Sequence, residues 1–181
     1  MIKKSNQLLN SMSAERIYNK IQIVDNKDNL LGVETYHDAI RKCCIRRASR
    51  VMIINEAGKV LVSRRSEHIS KPLLLDNSAA GHVDEGEGYY EAALRELEEE
   101  LGISGYELEE IAISYRSVDF FISLYRLVVP NDVKINIDPH EVKEIYWMDV
   151  TEIDSLIVDK QEECTTSLVE VWTQFRDKLI Q

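Results

Sequence analysis

A run of carboxylates near the middle of the chain is the strongest chemical signal in the sequence. In the segment RELEEELG, the side chains of Glu96, Glu99 and Glu100 fall within one narrow sector of a helix. Carboxylates in the last turns face the negative end of the helix dipole, and like charges three or four residues apart repel by about 0.2–0.5 kcal/mol per pair. A divalent cation would offset this cost, and hard oxygen ligands suit Mg²⁺ or Mn²⁺. The alternative is a solvated acidic surface, which is the commoner outcome for an acidic helix face considered alone.

The segment YYEAALRELEEEL, residues 89–101, is predicted to be the helix that positions these carboxylates. Gly102 provides the residue at which such a helix ends. Ala92 lies in the same sector as Glu96 and is small, which leaves room for an ion or a phosphate. Apolar side chains at helical spacing predict the buried face of this helix: Tyr90, Ala93, Leu94, Leu97 and Leu101.

The remaining pattern predicts a sheet that forms around two early hairpins. The segments KIQIVDNKDNLLGVETY and RVMIINEAGKVLVSRR each place strand-forming residues on both sides of a turn. Strand-like runs follow at 111–118 and 120–129, then in VKINI, which alternates strictly, and in VKEIYWMDV. The segment SLVEVWTQFRDKLI has the spacing of an amphipathic helix. This order predicts an α/β (α+β) fold in which a mixed sheet lies between helices, preceded by a polar arm at about residues 1–15.

Composition limits the classes of partner. The chain has 181 residues, enough for one domain with a substantial core, and a formal net charge of −10. No basic run is present, which argues against nucleic acid or an anionic membrane as a partner. Three cysteines without metal-ligand spacing favour a reducing cytoplasm. No signal-peptide core or membrane-spanning apolar stretch is present, so we expect a soluble intracellular protein.

The carboxylates belong to a longer motif that resembles a known family. From Gly81 to Ile103 the sequence has glycine, five residues, Glu87, seven residues, Arg95-Glu96-Leu97, one residue, Glu99-Glu100, one residue and Gly102-Ile103. This spacing matches the Nudix box of the Nudix hydrolases. The resemblance implies an α/β/α sandwich and hydrolysis of a nucleoside diphosphate linked to another group. We expect residues 46–181 to form the Nudix domain and residues 1–45 to form an N-terminal arm and hairpin extension of it.

The same resemblance implies roles for the residues of the box. Glu96, Glu99 and Glu100 correspond to ligands of Mg²⁺ or Mn²⁺, and the carbonyl of Gly81 is a further expected ligand. Glu87 and Arg95 correspond to an internal ion pair that shapes the loop. Water would attack a phosphorus of the diphosphate, and a carboxylate would accept its proton. The candidate bases are Glu99 in the box and Glu141 in the later segment DPHEVKEIYWM, with an exposed loop charge as the alternative role of Glu141.

The sequence outside the box is similar to the branch that contains isopentenyl-diphosphate isomerase. The runs IVDNKDNLLG, RRAS, IINEAGKVLVSRR and DNSAAGH carry this likeness. Two residues depart from the isomerases, because Ala80 stands where they have a catalytic cysteine and Arg46 where they have a histidine. Hydrolysis is therefore favoured over isomerisation. A third hypothesis is a sensor that binds a nucleotide or diphosphate without cleaving it.

Residues outside the carboxylate cluster are candidates for substrate binding. Arg64 and Arg65 could bind phosphate oxygens, as could Lys71, but solvated strand ends are an equally good interpretation. His82 could orient a phosphate or make a structural hydrogen bond. The residues after the box do not identify which diphosphate is the substrate. The N-terminal hairpin could cover the site or mediate a homodimer.

Overall fold

The computed structural model describes residues 20–181, and the arm predicted for residues 1–15 lies outside this range. Nine strands of the described chain form one mixed sheet with helices on both faces. The predicted α/β sandwich is therefore confirmed. The strands are β1 Lys20–Val24, β2 Leu30–Thr35, β3 Ile45–Asn55, β4 Val60–Arg65, β5 Leu75–Asp76, β6 Ala79–His82, β7 Glu109–Ser117, β8 Phe120–Val129 and β9 Val142–Met148. The helices are α1 Tyr36–Arg41, α2 Tyr89–Leu101, α3 Val150–Asp159 and α4 Thr166–Leu179, with a short 3₁₀ turn at Gln161–Glu163.

Strand β3 is the centre of the sheet. Its length of eleven residues lets it pair in parallel with β8 from Arg46 to Asn55 on one edge. On its other edge it pairs successively with β1, β6 and β4, each antiparallel. Strands β3 and β4 pair only next to their turn, at Ile53 and Ile54. Farther from the turn, β5 pairs with β4 and β6 pairs with β3. This split brings β6, which carries Gly81, into the middle of the sheet.

Two apolar cores cover the two faces of the sheet, as period-two alternation in the strands requires. Helix α2 packs on one face, where Leu97 and Leu101 meet Val51 and Ile53 of β3. Helices α3 and α4 pack on the other face against residues such as Met52. The predicted buried face of α2 is confirmed for Ala93, Leu97 and Leu101, while Tyr90 and Leu94 are half-buried.

The predicted N-terminal hairpin is present as β1 and β2, and it joins the main sheet because β1 pairs with β3. The boundary placed at residue 45 stays a prediction. The strand predicted for VKINI was wrong. Val133, Ile135 and Ile137 do point alternate side chains into the core. The backbone of this segment instead bonds to the end of α2, where Asn136 N–H donates to Leu101 O at 2.8 Å.

Two helices were not predicted from the pattern. Helix α1 begins where Thr35 Oγ1 accepts a hydrogen bond from Asp38 N–H. Helix α3 begins with a capping box in which the Glu152 side chain accepts from Asp149 N–H. The sequence Asp149-Val-Thr-Glu152 carried that signal. Within residues 20–181, none of the helices is both long and apolar enough to cross a bilayer.

Candidate functional site

Helix α2 turns its carboxylates toward strand β6. Glu96 and Glu100 are only 5% and 9% exposed, whereas Glu99 is half-buried. Two of the three carboxylates therefore lie inside the fold rather than on the surface. Burial of charged groups is costly unless they are paired. The partners of these glutamates consequently decide what the site can do.

Strand β6 provides a close backbone surface for two of the carboxylates. Ala80 N–H donates to Glu100 Oε2 at 3.2 Å. At Gly81, a Cβ atom would lie 1.8 Å from Glu96 Oε1, which is far inside van der Waals contact. Any residue with a Cβ atom at this position would force the Glu96 side chain to move. The glycine of the motif is thus required by the fit of a carboxylate against the strand.

Arg95 is the cation that the carboxylates share. Its Nη1 atom lies 2.6 Å from Glu96 Oε1 and 3.0 Å from Glu99 Oε2. Its Nε and Nη2 atoms donate to the two oxygens of Glu87 at 2.6 and 3.1 Å, and Nη2 also donates to His82 O. The predicted Glu87–Arg95 pair is present, but Arg95 does more than shape the loop. It joins the loop before α2 to the metal-candidate carboxylates.

The loop before α2 is held in the same network. Asp84 N–H donates to Glu87 Oε2 at 3.1 Å. Ion pairing with Arg95 and the hydrogen bond from Asp84 lower the pKa of Glu87, against the effect of its burial, which is the largest influence and raises it. Burial lowers the pKa of the Arg95 guanidinium, but its contacts with the carboxylates of Glu87 and Glu96 outweigh this effect, so that the pKa is raised. Both groups are therefore charged throughout the neutral pH range.

The residues of the cluster fit a divalent cation by their chemistry. Oxygens of Glu96 and Glu99 reach one guanidinium nitrogen, so both can contact a single positive centre. Across residues 20–181, no three His, Cys, Asp or Glu side chains are arranged in this structure so that they could hold a metal ion together. The pairing of Glu96 and Glu99 with Arg95 accounts for this arrangement. Their carboxylate oxygens are nevertheless the ligand type that Mg²⁺ and Mn²⁺ prefer.

The end of α2 is joined to the loop that carries Glu141. Helix α2 ends at Gly102, which has a positive φ of 65°. The carbonyl of Glu100 accepts a hydrogen bond from Asp138 N–H at 2.9 Å, and Glu141 N–H donates to Asp138 O. Glu141 is thus three residues from a direct backbone contact with the carboxylate helix. Its chemical role stays a prediction.

The three cationic candidates before the box, Arg64, Arg65 and Lys71, make hydrogen bonds to groups outside the carboxylate cluster. Arg64 donates to Leu73 O and to the Tyr146 hydroxyl, at 2.8 and 3.1 Å. Arg65 donates to Asp76 Oδ2 at 2.8 Å, and Lys71 donates to Thr166 Oγ1 at 3.1 Å. These contacts fix the loop between β4 and β5. Binding of phosphate by these residues stays a prediction.

His82 is placed on the sheet face opposite α2. Gly81 faces α2, and the next residue along a strand faces the other way. The His82 ring lies 5.4 Å from the Tyr36 ring and 5.7 Å from the Phe120 ring, and its Nε2 atom is buried without a hydrogen-bond partner. Burial, with added repulsion from Arg50 and Arg46, lowers the pKa of His82 to about 3. His82 therefore adjoins Gly81 in sequence but not the carboxylates in orientation.

Two polar residues on this second face, Arg50 and Asn77, were not identified as candidates from the sequence. Arg50 donates to Ser167 Oγ at 2.8 Å, and Asn77 donates to the same oxygen at 2.9 Å. Burial raises the pKa of Tyr115 to about 12, against the opposing influence of Arg50. Arg46 and Arg50 are charged residues at even-numbered positions of a largely apolar strand. This pattern in the sequence could have indicated a polar site on one face of the sheet.

Comparison with known proteins finds a matching family, similar sequences and a similar solved structure. The NUDIX domain family matches residues 45–168. An uncharacterized Nudix hydrolase of Yersinia pestis is 32% identical over 137 residues, which cover 74% of each chain. Human isopentenyl-diphosphate delta-isomerase 2 is 25% identical over 169 residues, covering 79% of this chain and 74% of the isomerase. A crystal structure from Deinococcus radiodurans has a TM-score of 0.76 at 25% identity, covering 86% of this chain and 98% of that one.

The family match includes the parts of the chain that build the carboxylate site. It spans β6 with Gly81, helix α2 with its glutamates, and the loop that carries Glu141. The similar proteins include both a Nudix hydrolase and an isomerase, in agreement with the branch that the sequence resembled. This chain belongs to the Nudix family.

Proposed function

We propose that this protein is a divalent-metal-dependent hydrolase that cleaves the diphosphate bond of a nucleoside diphosphate linked to another group, or of a related organic diphosphate. The observation that carries the proposal is the placement of Glu96 and Glu99 around one cationic atom, with Glu100 on the same helix accepting a hydrogen bond from Ala80 of β6. Such a group of carboxylates is costly to gather without a function that uses it.

Glu96, Glu99 and Glu100 would hold Mg²⁺ or Mn²⁺, with the carbonyl of Gly81 as a further ligand. When bound, the metal supplies Lewis acidity toward phosphoryl oxygens and lowers the pKa of a coordinated water. Arg95 fixes the positions of Glu96 and Glu99 through its Nη1 atom. The glycine at position 81 lets Glu96 lie against the backbone of β6.

The hydrolysis itself requires a base from the chain. Water attacks one phosphorus of the diphosphate, the bond from that phosphorus to the bridging oxygen breaks, and two phosphorylated products leave. Glu141 is one candidate for accepting the proton of the attacking water, because its loop is bonded to the end of α2. Glu99 is the other, since it is the most exposed of the three box carboxylates. A general base contributes about 10²–10⁴-fold to such a rate.

An isomerase is the second candidate, because human isopentenyl-diphosphate delta-isomerase 2 is among the similar proteins. The residue before Gly81 opposes it. The side chain of Ala80 has no group that can transfer a proton, and Ala80 occupies the position of the catalytic cysteine in the isomerases that the sequence resembles. A sensor that binds without turnover is the third candidate. The intact set of box carboxylates favours an enzyme over a sensor.

The experiment that tests the proposal is product formation from a panel of diphosphates. The panel includes ADP-ribose, a diadenosine polyphosphate, a nucleoside triphosphate and isopentenyl diphosphate, each incubated with Mg²⁺ and followed by phosphorus NMR. We expect at least one compound to give two phosphorylated products, and excess chelator to abolish the reaction. Isomerisation of isopentenyl diphosphate without any hydrolysis would replace the proposal, and binding without turnover would favour the sensor. Cytoplasmic location and a homodimer remain further expectations.

A further inference from the structure

Five polar side chains and the apolar ring of a phenylalanine form a cluster on the sheet face that carries α4. We call it the arginine cluster, and it consists of Arg46, Arg50, Asn77, His82, Tyr115 and Phe120. The four strands that meet here place its members by register. Tyr115 pairs with Ile122, Ile122 with Ala48, and Ala48 with His82, so one row crosses the sheet. Ala48 and Ile122 are buried and form an apolar floor between Tyr115 and His82.

The two arginines stand on either side of that row. They lie two residues before and two residues after Ala48 on β3, and residues two apart in a strand face the same side of the sheet. Arg46 Cζ lies 4.3 Å from the centre of the Phe120 ring, and Arg50 Cζ lies 6.0 Å from it. Arg50 also donates to Ser167 Oγ on α4, which receives a hydrogen bond from Asn77 as well. The cluster is therefore continuous from β7 to α4.

Four atoms of the cluster are buried and lack a hydrogen-bond partner. They are Arg46 Nε, Asn77 Oδ1, His82 Nε2 and Tyr115 Oη. Arg46 and Asn77 are only 7% and 1% exposed as whole residues. Buried polar atoms in native proteins are nearly always paired, so four unpaired atoms in one place indicate a missing partner. Donors and acceptors are both represented, which a ligand with oxygen atoms and hydroxyl groups would match.

The charge of the cluster defines the kind of partner. Among residues 20–181, the ion-pair partner of Arg46 is Asp119, at 3.8 Å, and the side chain of Asp119 is 68% exposed. Asn77 donates to the buried carboxylate of Asp76 at 3.0 Å, but that carboxylate is already paired with Arg65. Arg50 has no carboxylate within ion-pairing distance in the described part of the chain. Two guanidinium groups on one ring repel each other unless an anion lies between or beside them. Guanidinium groups bind phosphate oxygens in a bidentate manner, and a net charge of −10 makes an accidental basic site unusual.

We propose that the arginine cluster binds a phosphate-type anionic group of the substrate. Arg46 Nε and the Arg50 guanidinium donate to its oxygens, Tyr115 Oη donates beside them, and Asn77 Oδ1 accepts from an adjacent hydroxyl. The cluster and the carboxylate site meet at β6, since Gly81 faces Glu96 while His82 faces the arginines. This inference rests on the proposed function only in calling the ligand a substrate.

The test measures binding without metal, so that the carboxylate site does not contribute. Inorganic pyrophosphate is titrated into the protein in excess EDTA at constant ionic strength, and the heat is recorded. We expect saturable binding to the parent, with Arg46→Gln and Arg50→Gln each raising the Kd at least about tenfold, or about 1.4 kcal/mol. Arg50→Lys keeps the charge and should regain part of the lost affinity. Arg41→Gln, an exposed arginine on α1, is the matched control and should leave the Kd unchanged.

The outcomes separate this inference from the proposed function. Absence of pyrophosphate binding by the parent, or an unchanged Kd in folded Arg46→Gln and Arg50→Gln, overturns the inference even if hydrolysis is found. Arg50 is half-buried, so Arg50→Gln keeps the test available if Arg46→Gln fails to fold. Binding that depends on the arginines in a protein without turnover supports the cluster and contradicts the hydrolase. Glu98→Gln should leave binding in EDTA unchanged, because Glu98 is exposed on α2 away from the cluster.

Discussion

The carboxylate of Glu96 lies directly against Gly81, where a β-carbon would come within 1.8 Å of Oε1. Because Gly81 has no side chain, the neighbouring strand leaves room for this buried carboxylate. Helix α2 and strand β6 must therefore keep their relative positions for the carboxylate cluster to exist. The contact links a sequence requirement, the glycine of the box, to the geometry of the proposed metal site.

Gly81→Ala should displace Glu96 and reduce both stability and activity. Overpacking of this kind costs about 1–3 kcal/mol, and the displaced carboxylate no longer shares Arg95 with Glu99. Thermal unfolding and Mg²⁺-dependent turnover are the measurements. Gly58→Ala is the control, since Gly58 has a φ of 77° and open space around it, so that variant should lose stability but keep activity. Equal activity in Gly81→Ala and the parent would contradict the assigned role of Gly81.

Arg95→Gln should make the protein more dependent on Mg²⁺ for its stability. Glu87, Glu96 and Glu99 lose their common cation in this variant, and breaking partly buried ion pairs costs about 3 kcal/mol. Added Mg²⁺ should therefore raise the melting temperature of Arg95→Gln more than that of the parent. Arg126→Gln removes a pair with Glu109 on the surface and serves as the control. The prediction fails if Mg²⁺ shifts all three proteins equally.

Glu141→Gln should lower kcat by about a hundredfold or more and leave the affinity for Mn²⁺ nearly unchanged. The physical reason is that the amide cannot accept a proton from water, while the loop remains bonded to the end of α2 through Asp138. Glu144→Gln, an exposed charge three residues later on β9, is the control. Near-parental kcat in Glu141→Gln would assign the base to Glu99 instead.

Cys164 should be the least reactive thiol in the native protein. Cys43 is exposed, whereas Cys164 is buried, and burial with repulsion from Glu163 raises its pKa to about 11. About 0.1% of such a thiol is ionised at pH 8. Alkylation followed by mass spectrometry should modify Cys43 first and Cys164 only on unfolding. Because the folded pKa exceeds the unfolded one, this group contributes stability below about pH 8.5 that is lost as pH rises through 11. Early labelling of native Cys164 would contradict this.

Helices and strands could be predicted from the sequence where their apolar pattern and their end signals lie within one segment. Helix α2 could be predicted because its apolar face and its glycine end lie in one segment. The segment VKINI was mistaken for a strand because its side chains alternate. Instead, Asn136 N–H bonds to Leu101 O, and Asp138 N–H just after the segment bonds to Glu100 O, so its partner is the end of α2, about 35 positions away in the sequence. Helix α3 was missed because its capping box lies between a strand and a short apolar run.

The candidate site was predictable in part for the same reason. Glu96, Glu99 and Glu100 share a helix face, so their spacing alone brings them together. The arginine cluster depends on the register of β3 with β6 and β8. Arg46 and Tyr115 are 69 positions apart in the sequence, and only the parallel pairing of β3 with β8 places them on one face. No local pattern encodes that pairing.

Direct titration of Mn²⁺ tests the central claim, that the box carboxylates hold a divalent ion. Heat of binding is measured for the parent and for variants at three adjacent positions, Glu98, Glu99 and Glu100. We predict saturable binding by the parent, with Glu99→Gln and Glu100→Gln weakening it at least about tenfold. Glu98→Gln should have no effect, because Glu98 is exposed on another side of the same helix. No binding by the parent, or equal weakening by all three substitutions, would contradict the assignment of Glu99 and Glu100 as metal ligands.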